Sequence, residues 1–189
     1  MNTLTTLYKH QILINKAVSK VIGIFTIILL LSLGAYIRIP LPFTPVPITF
    51  QTFFVLLGGA ILGRKYGPIA TTGYLFLGGL GLPIFQGYGS GIFHILGPTG
   101  GYLIGFIAAS FVIGTLIDFK KKKSSFGWTV FSMVLGQVVI YAFGIWWLAV
   151  SLKLNLVKAI YLGFIPFLPG AAFKLITASV IYTKFSSKR

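Results

Sequence analysis

The chain has no cysteine and one acidic residue, Asp118; glutamate is absent altogether. Without cysteine there are no disulfides, no thiolate metal sites and no cysteine nucleophile. With one carboxylate there is no acid pair for general acid–base or glycosidic chemistry. The only histidines, His10 and His94, fall on opposite sides of the expected topology and cannot share a metal ion. A Walker A sequence is missing, so the chain does not itself hydrolyse ATP. The Gly87-Tyr88-Gly89-Ser90-Gly91 run follows no soluble strand and does not read as a dinucleotide loop. No catalytic residue, metal site or cofactor is therefore expected.

Charge of any kind is scarce, at 9% of residues, whereas 56% are hydrophobic. A soluble domain carries about 25% charged residues. The expectation is a single all-α integral membrane domain over residues 1–189, embedded in a lipid bilayer. Sixteen basic residues lie in short clusters between apolar runs, the pattern of topology signals rather than of nucleic-acid binding. Near the N-terminus, Lys9, Lys16 and Lys20 precede the apolar run 21–31, which ends in Ser32-Leu33-Gly34. That outline resembles a cleavable leader, but the run stays apolar through Ile37 and favours a retained helix.

Six transmembrane segments are predicted, at about 20–38, 48–63, 67–82, 100–118, 126–150 and 168–184. The second, third and sixth are about 16 residues long, short of the ~20 a crossing needs, and they adjoin Gly/Pro-rich connections. Irregular backbone at membrane depth is tolerated where protein or a water-filled cavity satisfies it. Twelve of the basic residues fall on one side: Lys9, Lys16, Lys20, Arg64, Lys65, Lys120 to Lys123, Lys184, Lys188 and Arg189. Arg38, Lys153 and Lys158 fall on the other. The asymmetry places both termini in the cytoplasm of a multi-pass protein of the cell (inner or plasma) membrane.

The outer connections are unusual. Residues 38–47 carry Pro40, Pro42, Pro45 and Pro47, which makes the stretch extended and non-helical. Residues 82–101 are apolar and glycine-rich, with Phe85, Tyr88 and Phe93 among them, and should pack back over the bundle. The third connection, 151–167, contains an amphipathic stretch that reads as an interfacial helix.

Lys174 stands inside the sixth segment. A cation there costs at least ~2.5–3.5 kcal/mol unless it finds an anion, a cavity or the interface. Pro169 and Gly170 mark a helix start little more than one turn before it, and a helix N-terminus favours a bound anion. Two readings are open: a carboxylate-binding group, or a lysine snorkelling to the outer interface. Gln51, near the outer end of the second segment, can hydrogen-bond either a ligand or a loop carbonyl. Trp146 and Trp147 suit the outer aromatic belt, with one of the pair open to stacking on a ligand. The paired glycines read as helix-packing positions.

Three stretches carry a resemblance: residues 45–67 (PVPITFQTFFVLLGGAILGRKYG), 77–85 (LGGLGLPIF) and 96–106 (LGPTGGYLIGF), with residues 166–174 (PFLPGAAFK) in support. Together they resemble the BioY family, the biotin-specific substrate-binding component of energy-coupling-factor transporters. The resemblance implies a six-helix bundle with cytoplasmic termini and an outward pocket for biotin. It further implies partnership with a transmembrane coupling subunit and a pair of cytoplasmic ATPases. Lys174 is carried over from the family's Pro-Gly-Asp…Lys motif, with Ala171 at the place of the acid. Gly89 stands where relatives often carry asparagine, and Leu103 where some carry arginine. Gln86, Tyr88, Ser90 and His94 are the local substitutes expected to meet the ureido ring, and Tyr102 completes the candidate set. No Ala-x-x-x-Ala pair marks the first helix, which offers Ala17, Gly23, Ser32 and Ala35 for docking. Uptake of another small carboxylate or vitamin, and assembly as a homo-oligomer, are the alternatives the sequence leaves.

Overall fold

The structure is a computed structural model that describes residues 3–120 and 125–186, with side chains from residue 17 onward. It is almost entirely helical. Helix α1 (Thr3–Tyr36) leads into a short β-hairpin, β1 (Arg38–Ile39) with β2 (Ile48–Thr49). There follow α2 (Gln51–Gly79), the short α3 (Ile92–Leu96), α4 (Gly100–Phe119), α5 (Phe126–Ser151), α6 (Leu156–Gly163) and α7 (Leu168–Ser186). Among the described residues, four stretches are long and apolar enough to cross a membrane: Ala17–Tyr36, Gly100–Phe119, Phe126–Ser151 and Leu156–Ser186.

The other two passes come from α2, which is not straight. At Gly63 the backbone takes φ 75°, ψ −175°, a conformation open to glycine and strained for other residues. The chain reverses there. Gln51 Nε2 donates to Tyr74 Oη at 2.7 Å although 23 residues separate them; a continuous helix would hold them about 35 Å apart. The expected segments 48–63 and 67–82 are thus the two arms of a helical hairpin, and the bundle has six passes. The one acid of the chain stabilises the turn: Asp118 Oδ2 accepts from the Arg64 backbone N–H at 3.0 Å, which caps the start of the second arm.

Close backbone approach binds the hairpin to α4 and α4 to α5. A Cβ on Gly59 would lie 3.0 Å from Ser110 Cα, and one on Gly105 would lie 3.1 Å from Ile140 Cα. Small residues at such crossings give the van der Waals contact that drives helix association in lipid. Tyr74, Phe85 and Leu31 centre one buried cluster; Leu56, Ile113 and Met133 centre another.

One end of the bundle gathers the basic residues. Lys20 Nζ lies 4.5 Å above the Tyr66 ring, near Lys65, and Arg64 meets Asp118 there. Lys9, Lys16, Lys121 to Lys123, Lys188 and Arg189 lie outside the residues whose side chains the structure describes.

At the other end the connections fold over the helices. The proline-rich segment closes as an antiparallel pair, Arg38 with Thr49 and Ile39 with Ile48. It docks on α6 through Thr44 Oγ1, which donates to the Leu162 carbonyl at 2.9 Å. The glycine-rich segment is equally ordered. Phe85 is fully buried and meets Tyr74 edge-on at 5.4 Å, and the Gly91 N–H donates to Gly78 O at 2.7 Å. Asn155 caps α6 by accepting from the Lys158 N–H at 2.8 Å. In α6, Ala159 and Gly163 face inward, while Leu156, Val157 and Tyr161 are exposed, as an interfacial helix requires.

Candidate functional site

The folded connections roof a cleft at this end of the bundle. Its apolar walls are Val46, Pro47, Leu103, Phe106, Ile140 and Phe167, with Tyr141 at one side. Polar groups stand at two places. One is built from Lys174, Thr49 and Thr52, the other from Gln86, His94 and Thr99.

Lys174 comes from the second turn of α7, where Pro169 is the second helical residue. It does not snorkel. The residue is only 9% exposed, and its ammonium donates to the Thr49 carbonyl at 2.9 Å and to Thr52 Oγ1 at 2.6 Å. An ammonium carries three N–H donors, so these two neutral partners leave one for an incoming group. Asp118, engaged at the opposite end of the bundle, offers no countercharge. The cleft therefore holds one buried positive charge that no protein anion balances, and a carboxylate satisfies both that charge and the free donor.

Gln51 also lines the cleft, but as a brace. Only 3% exposed, it donates to Tyr74 Oη, which donates in turn to the Ile84 carbonyl at 2.9 Å. This chain ties the hairpin to the start of the glycine-rich roof. Gln86 Nε2 donates to Thr99 Oγ1 at 3.1 Å. Tyr102, buried, donates to the Gly163 carbonyl at 2.7 Å and ties α4 to α6. His94 stacks on Phe85 with ring centroids 5.0 Å apart and planes 21° from parallel.

Two of the expected residues are elsewhere. Tyr88 is 70% exposed and packs on Tyr36 at 4.7 Å; its backbone takes φ 59°, which turns the side chain toward α1 and away from the cleft. Ser90 is exposed at the outer surface of the same segment and does not line the cleft. Neither tryptophan lines it. Trp147 donates its indole N–H to Gly97 O at 2.9 Å, and Trp146 is exposed. Ala171 is buried but faces a lateral groove between α5 and α7 instead of the cleft, whereas Leu103 forms part of the cleft wall.

Thr49, Thr52, Thr99 and Tyr141 are lining residues that the sequence reading missed. The three-residue step from Thr49 to Thr52, which puts both on one face where the second segment begins, is the one signal that could have found the first two.

The family model for BioY matches residues 5–189, nearly the whole chain. The chain belongs to the BioY family. Its BioY relatives include the biotin transporter BioY of Thermotoga maritima, 46% identical over 159 residues, which are 84% of this chain and 89% of that protein. The probable biotin transporter BioY of Pyrococcus horikoshii is 41% identical over 80% of this chain and 86% of its own length. The BioY fold is similar to the crystal structure of the S-component for biotin from an ECF-type ABC transporter, with a TM-score of 0.86 and 27% identity over 92% of this chain and 93% of that one. Lys174 and the roofed cleft are thus features of a BioY-family membrane bundle.

Proposed function

We propose that this chain takes up biotin, capturing it in the roofed cleft as the substrate-binding component of an energy-coupling-factor transporter. Relatives named as biotin transporters and a structural neighbour described as an S-component for biotin support the ligand. The observation that carries the reading at the level of chemistry is Lys174: a buried ammonium with a free donor and no protein anion, in a cleft with apolar walls and a second, uncharged polar end. Biotin has the matching outline, with one carboxylate on an aliphatic chain and a neutral bicyclic head. In this arrangement Lys174 binds the carboxylate, the apolar walls hold the chain, and the Gln86–His94–Thr99 end meets the head.

The chain is a transport component and not an enzyme. It works in the cell membrane with its basic end in the cytoplasm, as the positive-inside rule directs. Energy comes from separate ATPase chains through a membrane coupling subunit, which the missing Walker sequence supports. The reading is tested by equilibrium binding of radiolabelled biotin to purified protein, with desthiobiotin, lipoate and pimelate as competitors. Saturable biotin binding displaced by desthiobiotin more strongly than by pimelate is the expected result. Preference for lipoate or pimelate would assign the cleft to another small carboxylate.

A further inference from the structure

A second cation stands close to the cleft, on its outer side. Arg38 is the first residue of β1, and its backbone pairs with Thr49 of β2. The Thr49 carbonyl in turn accepts from Lys174. The outer cation and the inner one are therefore joined through a single residue of the hairpin. The Arg38 side chain crosses the seam between the hairpin and the glycine-rich roof. There its guanidinium lies on Gly87, in the space a Cβ would fill, with Cζ 2.9 Å from that point. Gly87 takes φ 69°, ψ 29°, so both the backbone angle and the close approach require glycine. Beside the seam, Tyr36 Oη donates to the Pro83 carbonyl at 2.6 Å. Thr49 and Gln86, the neighbours of Arg38 and Gly87 across and along the chain, both line the cleft.

The guanidinium has a seat but no partner. Arg38 is exposed, and among the described residues no hydrogen bond, ion pair or ring contact engages its side chain. The one acid of the chain, Asp118, caps Arg64 at the opposite end of the bundle. A guanidinium presents five N–H donors in a planar fork, which matches a carboxylate in a bidentate pair. The contact with Gly87 fixes this fork at the rim and leaves its donors unspent.

Resting on the biotin reading above, we infer that Arg38 forms an outer recruitment site for carboxylates, where the ligand's carboxylate docks before it passes the seam to Lys174. The site acts on the rate of capture. An exposed ion pair contributes little at equilibrium, but an unbalanced charge at the mouth of a cleft raises the local concentration of anions and steers their approach. Removal of a rim charge of this kind changes the association rate and its salt dependence more than the dissociation rate.

The test measures association and dissociation of radiolabelled biotin with purified wild-type protein, Arg38→Gln and Lys153→Gln. Lys153 is another exposed cation of the outer connections and serves as the control for equal loss of charge. Each protein is measured at about 0.01 M and about 1 M salt, where the Debye length falls from about 30 to about 3 Å. At low salt, Arg38→Gln should associate about three- to fivefold more slowly than wild type. That difference should vanish at high salt. Its dissociation rate should stay within about twofold of wild type, and Lys153→Gln should match wild type throughout. Equal association rates at low salt overturn the proposal, as does a slowing that persists at high salt. An equal slowing in Lys153→Gln overturns it by assigning the effect to the general field of the outer face. Faster dissociation with unchanged association also overturns it, and makes Arg38 a clasp on the roof. If wild-type protein fails to bind biotin at all, the biotin reading falls and this inference with it, a result distinct from a wild type and an Arg38→Gln variant that capture biotin equally fast.

Discussion

Replacing Lys174 separates binding from folding more sharply than any other change in this molecule. Truncation to Met keeps the apolar stem and deletes the charge. The bound carboxylate then loses a charge-assisted hydrogen bond, about 1.5–3 kcal/mol, and stays among apolar walls without a countercharge, a penalty that brings the total to about 3–4 kcal/mol. That corresponds to biotin binding weaker by a few hundred-fold. The ligand-free protein responds differently. Deleting an unbalanced buried cation relieves its desolvation, while the Thr49 carbonyl and the Thr52 hydroxyl lose their donor. The two effects oppose each other, so ligand-free stability should change by no more than about 1 kcal/mol. Lys174→Arg should recover only part of the affinity, because a planar guanidinium does not fit a site shaped for a compact ammonium. The assay is radiolabelled biotin binding alongside thermal unfolding in the same detergent. Unchanged affinity in Lys174→Met refutes the carboxylate assignment, and a collapse in ligand-free melting temperature would show that Lys174 is chiefly a structural strut.

Further expectations concern the frame around the site. Gly63→Ala forces a side chain into φ 75° and sets a Cβ 2.9 Å from the Asp118 oxygens; it should cost about 1–3 kcal/mol, read as lower melting temperature and yield. Asp118→Asn weakens the cap on Arg64 and should cost about 0.5–1 kcal/mol by the same measurement, with biotin affinity unchanged. Tyr74→Phe breaks the link from Gln51 to the Ile84 carbonyl; leaving a buried amide unpaired should cost about 1–3 kcal/mol and loosen the roof, seen as faster hydrogen exchange at residues 84–99. Tyr88→Ala should leave biotin affinity within about twofold of wild type in the binding assay, since exposed positions away from a site usually change little.

Much of the frame was legible in the sequence because its causes are local. Apolar runs separated by basic clusters marked six passes, and Gly63-Arg64-Lys65-Tyr66-Gly67 marked the reversal between the second and third. Lys174 was visible because a cation in an apolar run is rare and the chain has almost no acid to pair with it. Its actual neighbours were not visible. A threonine hydroxyl such as Thr52 looks the same in sequence whether it faces lipid, its own helix or a ligand. Gln51 stood out as polar, but its partner Tyr74 became its neighbour only through the hairpin. The glycine-rich roof was hardest to read. Composition said that it folds back, while the direction of each side chain depends on single backbone angles. Tyr88 turned outward at φ 59° and His94 turned inward beside Gly89, a distinction with no counterpart in residue type.

The broken helix α2 bears on the surrounding lipid as well as on the cleft. Its arms, residues 51–62 and 64–79, rise about 18 and 24 Å at 1.5 Å per residue, against a hydrocarbon core of about 30 Å. Helices α4 and α5 have the length to match that core, so the two sides of the protein present unequal hydrophobic heights. Beside the hairpin, where Ile69 and Phe76 are exposed, the bilayer must thin or the bundle must lean to keep apolar surface covered. The molecule thus stands asymmetrically in its membrane, and acyl-chain length becomes a variable that sets its tilt and, through the tilt, how the roof over the cleft is presented to the outside.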